Sequence, residues 1–569
     1  MTIIRSHASD VAIPDVDIFN FIFPPGPSIG SAVPSKKGKL AYVDGVTDEE
    51  IGHDSLKTLC EDFAAVLQGK YGLKERKVLG VFSPNDVHYP IALWGALRIG
   101  CVATTANHTY TAEELTHQLR DSGAKVLLTH PVVLPVALDA AKALGIPSER
   151  VLLFMRDERD TSQMAFPTIK ELISEWGAKR SKGEITLRRF NLGKDAKDTV
   201  AFLCYSSGTT GRSKGVMISH KNVVANVCQL NGIQTKEFSE LCKDVLMAVL
   251  PFYHIYGLIL LIHMATFRGN TTVVLPKFEP QHFLSAIQKY KITSLFLVPP
   301  IVLFLSQHPA VDQFDTSSVK TILSGAAPLP WESVIQLKKR KGFKNVVVQQ
   351  GWGMTETATA VTMTPLDDVR VNSVGPILPN IEVKLVDPDN HEAVGVGKEG
   401  EIWVRGPNVT YLGYLNNKKA TEETFKDGWL LSGDIAVADK DGHLYIRDRM
   451  KELIKVKGLQ VAPAELEALL LEHPAVADSC VVQVPDDRAG ELPRAYVVLK
   501  ESHERNNLDD IKASINSLFE SRLARHKQLA GGIVVVDSIP KTASGKLLRR
   551  NLRDRAKQEW AVEKRSARL

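Results

Sequence analysis

From Lys77 onward the chain alternates short apolar, β-branched runs with segments whose apolar residues recur at helical spacing. VLGVFS precedes a helix over DVHYPIALWGALRIG, CVATTAN precedes TAEELTHQLRDSG, and KVLLTH precedes a helix near PVALDAAKALG and then RVLLFM. Strand–helix–strand repetition predicts parallel strands with helices packed on their faces. The rhythm returns in ITSLFLV, VKTILSG and NVVVQQG, the last running into Met354.

After Gly375 the texture changes to short strands separated by Gly, Asp and Asn (IEVKLVD, GEIWVRG, GHLYIRD), which predicts an antiparallel sheet or small barrel. The charged stretch RDRMKE (447–452) follows, and beyond it lies a compact α+β pattern. It comprises a helix over PAELEALLLEH, paired strands SCVVQV and RAYVVL, a helix over LDDIKASINSLFESRL, strand GIVVVD and a basic helix after Gly545. The expected organisation is a large N-terminal region of parallel α/β subdomains plus a small antiparallel barrel (1–447), a hinge at 448–451, and a small mobile α+β C-terminal domain (452–569).

Val245 to Phe267 carries no Lys, Arg, Asp or Glu and is long enough to cross a bilayer. Pro251, His254, Gly257 and His263, with Tyr253 and Tyr256, interrupt it, so a buried strand, a polar turn and a buried helix are expected. No transmembrane span and no secretory signal are predicted.

The 569 residues, 44% hydrophobic and 24% charged, match an ordinary globular protein and exclude collagen-like, disordered and disulfide-scaffold classes. The six cysteines form no CxxC pair, so neither a zinc site nor a disulfide framework is indicated. Net charge is +5, yet Pro540 to Leu569 alone holds ten Lys or Arg against three acids. With almost no aromatic interleaving, this tail reads as a solvated helix face, and no nucleic-acid partner is inferred.

Four segments carry chemistry. YSSGTTGRSKG (205–215) follows the apolar run TVAFLC. Its glycines let backbone N–H groups converge on phosphate oxygens, its hydroxyls add donors, and Lys214 supplies positive charge. Gly215 stands where a Walker A loop needs Ser or Thr. QGWGMTET (350–357) flanks an aromatic with two glycines and adds Thr355 and Glu356. One carboxylate beside a phosphate loop suits Mg²⁺. LLSGDI (430–435) and RDR (447–449) offer Asp434 and Arg449 for ribose hydroxyls, and IPKTASGKLLRR places Lys546 in a loop that opens a helix.

Together, in this order and spacing from about residue 35 to 555, these segments resemble the acyl-adenylate-forming enzymes, which include acyl- and aryl-CoA ligases such as 4-coumarate:CoA ligase, beetle luciferases and peptide-synthetase adenylation domains. The resemblance implies an ATP-dependent acid:CoA ligase that uses ATP, Mg²⁺ and coenzyme A on a small carboxylic acid. The acid is first joined to AMP with loss of pyrophosphate, and CoA then displaces AMP. It further implies nucleotide contacts from Ser206, Ser207, Gly208, Thr209, Thr210, Gly211, Lys214, Gln350, Gly351, Trp352, Gly353, Thr355, Asp434, Arg449 and Lys451, with Glu356 on the metal. Trp352 stands where the family most often has a Tyr that stacks on adenine.

Lys546 matches the family's adenylation lysine, and Lys451 its hinge, about which the C-terminal domain swings for the second step. Lys455 and Gln460 resemble residues of the thioesterification half. Lys457 and Gly458 resemble those lining the pantetheine passage, and Lys277 a CoA-contacting lysine. His254 matches a histidine between acyl pocket and CoA tunnel. The acyl pocket is expected from Tyr253, Tyr256, Gly257, Leu260, Ala326, Gly351 and Met363. The run TATAV after Glu356 and the apolar Leu260 depart from hydroxycinnamate ligases. They favour a less hydroxylated member of the phenylacetate, cinnamate and coumarate-like acids, or a medium-chain fatty acid. A luciferase-like oxidoreductase is the main alternative. The terminal Ala567-Arg568-Leu569 is similar to the peroxisomal address SKL, so an import receptor and a peroxisomal location are expected, and otherwise a cytoplasmic one.

Overall fold

The computed structural model describes residues 3–566 except 26–35, 158, 189, 191, 193–194, 207–212, 235–237, 451, 458, 487, 502–507 and 543–544. The predicted β-α-β rhythm builds two largely parallel sheets. One has six strands, in the order Val151–Leu153, Val126–Thr129, Val78–Phe82, Val102–Ala106, Val200–Ser206 and Lys214–Ser219, with only the last antiparallel. The other has eight, and its centre runs Val347–Trp352, Thr321–Ser324, Ser294–Leu297, Val245–Ala248, Thr271–Val274 and Leu40–Asp44, all parallel. These strands are buried on both faces, which is why they read as unbroken apolar runs.

Local chemistry sets the helix ends. Thr111 and Thr168 open Ala112–Ser122 and Ile169–Ser181 with reciprocal capping boxes to Glu114 and Glu171, and Gly123 closes the first in the left-handed conformation (φ 70°). The apolar stretch from Val245 forms the strand Val245–Ala248, a turn, and buried helical segments at Ile255–Gly257, Leu258–Met264 and Ala265–Arg268. No helix among the described residues is long and apolar enough to cross a membrane.

A seven-stranded antiparallel sheet holds Glu382–Val386, Glu399–Arg405, Trp429–Ala438 and His443–Arg449, and the N-terminal Ile4–Arg5 pairs with Glu382–Val386. The main apolar core extends from Ile18 to Leu444. From Ile454 on, a five-stranded sheet with helices Pro463–Glu472, Leu508–Arg522 and Arg549–Ser566 has its own apolar clusters. The result is the expected α/β body with an antiparallel sheet and a small C-terminal α/β unit.

Candidate active site

The ends of the parallel strands, one face of the antiparallel sheet and the loop before the last helix enclose a cavity of about 1070 Å³. Segments far apart in sequence meet on its wall: Ser206 and Lys214, His254, Trp352 to Glu356, Arg449 and Lys546. Ser206 and Lys214 face each other as the last antiparallel pair of their two strands, and both lie on the cavity wall. Ser207, Gly208, Thr209, Thr210 and Gly211 lie outside the described residues.

Gly353 is required by close approach, since a Cβ there would lie 1.6 Å from the Thr359 carbonyl oxygen. Beyond it, Thr355–Thr357 forms a single tight turn closed by Ala358 and Thr359, at φ 47° and 101°. Non-glycine residues held there store local strain. The turn presents Glu356, which is 5% exposed and accepts a 2.7 Å hydrogen bond from the Tyr414 hydroxyl. Lys214 sits 4.9 Å above the Tyr414 ring, so this cation and the Glu356 carboxylate share one aromatic support. Among the described residues no group of three His, Cys, Asp or Glu converges as a metal cage. A single carboxylate fits Mg²⁺, which takes one or two protein oxygens and leaves the rest to phosphate and water.

Asp434 and Arg449 are direct partners across the antiparallel ladder, and Arg449 Nε lies 3.1 Å from Asp434 Oδ1. The other carboxylate oxygen accepts the Trp352 indole N–H at 2.8 Å. Asp434 is only 6% exposed and stands just behind the Trp352 and Arg449 wall.

Lys546 projects from a tight loop in which its carbonyl accepts the Thr542 N–H, its own N–H reaches Thr542 Oγ1, and Gly545 adopts φ 77°. A Cβ on Gly545 would press 2.9 Å from Val298 of the N-terminal body. Burial, followed by the charge of Arg449, lowers the Lys546 ammonium to about 8, while Glu452, Asp434 and Glu356 pull it back up. Burial, then the Lys546 charge, lowers His254 to about 4, so this ring is neutral at pH 7. Its Nδ1 accepts the Tyr256 N–H at 3.3 Å, which assigns the proton to Nε2.

The wall of the cavity also holds Tyr253, Tyr256, Leu260, Ala326, Gly351 and Met363, the residues expected for an acyl pocket, joined by Leu230, Leu323 and Ala360. The Tyr256 hydroxyl donates to the Leu323 carbonyl at 2.9 Å, which turns that ring into an apolar wall.

Other expected residues are placed elsewhere. Gly257 packs on backbone, where a Cβ would lie 2.3 Å from the Pro251 carbonyl oxygen, rather than on the pocket wall. Gln350 is buried behind the site, its N–H donating to Thr364 Oγ1 and its side-chain oxygen accepting the Leu329 N–H. Lys277 is exposed. Lys455 and Gln460 pair across the hairpin Ile454–Val456 and Leu459–Val461, and with Lys457 they are exposed outside the cavity. Lys451 and Gly458, like Ala567-Arg568-Leu569, lie outside the described residues. Sequence reasoning missed Tyr414, whose place beside Glu356 has no local signature. It also missed Lys541 and Thr542, which join the wall beside Lys546.

Residues 31–415 match the family of AMP-binding enzymes, and residues 465–546 match the AMP-binding enzyme C-terminal domain. The chain is 40% identical over 534 residues to a probable 4-coumarate–CoA ligase of Dictyostelium discoideum, covering 91% of this chain and 93% of that protein. Its fold is similar to that of the anthranilate CoA ligase AuaEII in complex with anthranoyl-AMP (TM-score 0.83, 23% identity, 97% and 99% of the two chains). ATP-bound MatB from Rhodopseudomonas palustris is also similar (TM-score 0.80, 26% identity, 96% and 100%). The chain belongs to the AMP-binding enzyme family, in its acid–CoA ligase branch.

Proposed function

We propose that this protein joins an aromatic acid of low hydroxylation, or a medium-chain fatty acid, to coenzyme A through an acyl-AMP intermediate. The observation that carries the reading is the meeting of Lys546, Glu356 and Lys214 on one cavity whose far end is apolar. A carboxylate and a triphosphate repel each other, and fixed cations aimed at the reacting oxygens remove that barrier without reorganisation.

In the first step a carboxylate oxygen attacks the α-phosphorus of ATP, the bond to the bridging oxygen breaks, and pyrophosphate leaves. Lys546 bridges the carboxylate and the α-phosphate, while Lys214 and Thr355 hold the phosphates. Trp352 packs on adenine, with Asp434 and Arg449 toward the ribose. Glu356 would hold Mg²⁺, which when bound offsets the charge of the departing pyrophosphate. In the second step the CoA sulfur attacks the acyl carbonyl and AMP departs. Neutral His254 lies where the acyl and thiol paths meet.

The C-terminal unit from 452 pivots near Lys451 between the two steps. The exposure of Lys455, Lys457 and Gln460, set against Lys546 in the cavity, supports the present arrangement as the adenylating one. Such a swing lets one pocket serve two reactions without housing both sets of groups at once. The exposed Lys277 and Lys457 suit the CoA path. The apolar acyl wall and the committed Tyr256 hydroxyl support an acid with few polar substituents. The tripeptide Ala567-Arg568-Leu569 supports a peroxisomal address, and its deletion is expected to leave a tagged protein in the cytosol, whereas unchanged puncta would contradict the address.

The test of substrate is a panel of aromatic and C6–C12 acids incubated with ATP, Mg²⁺ and CoA, with thioesters read by mass spectrometry. Thioester from phenylacetate, cinnamate or a medium-chain acid supports the reading. Product confined to polyhydroxylated acids would overturn the substrate class.

A further inference from the structure

The strand His443–Arg449 puts Arg449 on the cavity wall and Asp448, one residue earlier, against the helix Pro463–Glu472 of the C-terminal unit. Successive strand residues point to opposite faces, so Arg449 reaches Asp434 while Asp448 turns away from it. Asp448 is 6% exposed, and its Oδ2 accepts the N–H of Ala464 at 3.0 Å, while Oδ1 accepts the N–H of Arg449. Ala464 lies in the first turn of the helix Pro463–Glu472, whose own cap residue, Ala462, makes no side-chain bond. First-turn N–H groups have no partner inside their helix. A carboxylate at the start of the expected hinge segment, three residues before Lys451, therefore caps a helix that follows it.

The connection continues to the adenylation lysine. Glu467, one turn along the same helix, forms a two-pronged pair with Arg549, which also bonds Glu452 Oε2 at 2.8 Å. Arg549 opens the last helix three residues after Lys546. Burial raises the Asp448 carboxyl to about 6 against the opposing pull of Arg549 and the two amide donors, with Glu467 adding to the rise. The ion is thus held in place at neutral pH against its own desolvation.

We propose that Asp448 is a positioning residue that latches the C-terminal unit in the adenylating arrangement by capping the helix Pro463–Glu472 from the N-terminal side of the Lys451 pivot. The inference rests on the two-step, two-arrangement reading above. Rotation about Lys451 carries Ala464 away from Asp448, so the bond belongs to the arrangement that puts Lys546 in the cavity.

The test measures the two half-reactions separately: acid-dependent pyrophosphate release, and thioester formation from supplied acyl-AMP and CoA. Asp448→Ala is expected to slow the first about 10-fold, in line with loss of a hydrogen bond to a charged group, and to leave the second unchanged or faster. Ala464→Pro deletes the same bond from the other side. A proline pair already opens the helix Pro299–Gln307, so the change suits a first turn. It is expected to give the same split, and the double variant to be no slower than either single one. Should Asp448→Ala fail to fold, Ala464→Pro decides alone. Equal loss in both half-reactions, or additive losses in the double variant, would overturn the latch while leaving an active wild type and the ligase reading intact. Wild-type protein without either half-reaction overturns both.

Discussion

The indole N–H of Trp352 donates to Asp434 at 2.8 Å, on the carboxylate whose other oxygen faces Arg449. A tyrosine at this position has no donor on that part of its ring, so the tryptophan adds a hydrogen bond to whatever stacking it provides. The pair fixes the orientation of Asp434, and in the proposed nucleotide site that lowers the ordering cost of binding. Trp352→Phe keeps a ring and removes the donor. Its ATP KM is expected to rise about 10-fold with little change in kcat, on the scale of a hydrogen bond to a charged group. Steady-state kinetics at saturating acid and CoA checks this, and an unchanged KM would assign the indole to packing alone.

Lys546→Ala is expected to abolish pyrophosphate release while leaving thioester formation from supplied acyl-AMP. The pH profile carries a second signature. With its folded value lowered to about 8, Lys546 is charged below that pH and loses its charge above it. Adenylation kcat/KM should therefore fall as pH rises through about 8, and this limb should disappear from the residual rate of Lys546→Ala. A profile flat to pH 9.5 would place the needed charge elsewhere.

Tyr414→Phe removes the hydroxyl that donates to Glu356 and keeps the ring beneath Lys214. The freed carboxylate loses its orientation, so adenylation should slow about 10-fold and need more Mg²⁺ for half-maximal rate. A magnesium titration of pyrophosphate release reads this directly, and coincident wild-type and variant curves would detach Tyr414 from the metal site.

Lys455→Ala should slow thioester formation from acyl-AMP much more than it slows adenylation, because Lys455 is exposed away from the cavity while Lys546 occupies it. Comparable loss in both half-reactions would count against an alternating C-terminal unit.

The parallel sheets were legible because buried strands must be continuous apolar runs, and the helices between them carry their own caps. The segments 205–215 and 350–357 stand out in the sequence because phosphate chemistry asks for glycines, hydroxyls and a charge within a few residues, and Ser206, Lys214 and Trp352 to Glu356 line one cavity. Pairings set by register or by distant meetings were not legible. Asp434 and Arg449 could be named separately, but their direct opposition is a property of the ladder. Tyr414 reaches Glu356 from 58 residues away. Leu40–Asp44 joins the sheet beside Thr271–Val274, which no local pattern foretells. Asp448 read as one charge in RDRMKE, and only burial and the Ala464 amide reveal its place. Gly257 is expected in the pocket by its position in the family pattern, whereas its missing Cβ allows a close backbone contact with Pro251.

In the proposed reaction a carboxylate oxygen bonds to the α-phosphorus before sulfur arrives. Supplying a turned-over acid with both carboxyl oxygens as ¹⁸O, and weighing the AMP released with ATP, Mg²⁺ and CoA present, decides the order. One ¹⁸O is expected in each AMP and one in the thioester carbonyl. AMP without label, or label in inorganic phosphate beside ADP, would contradict it.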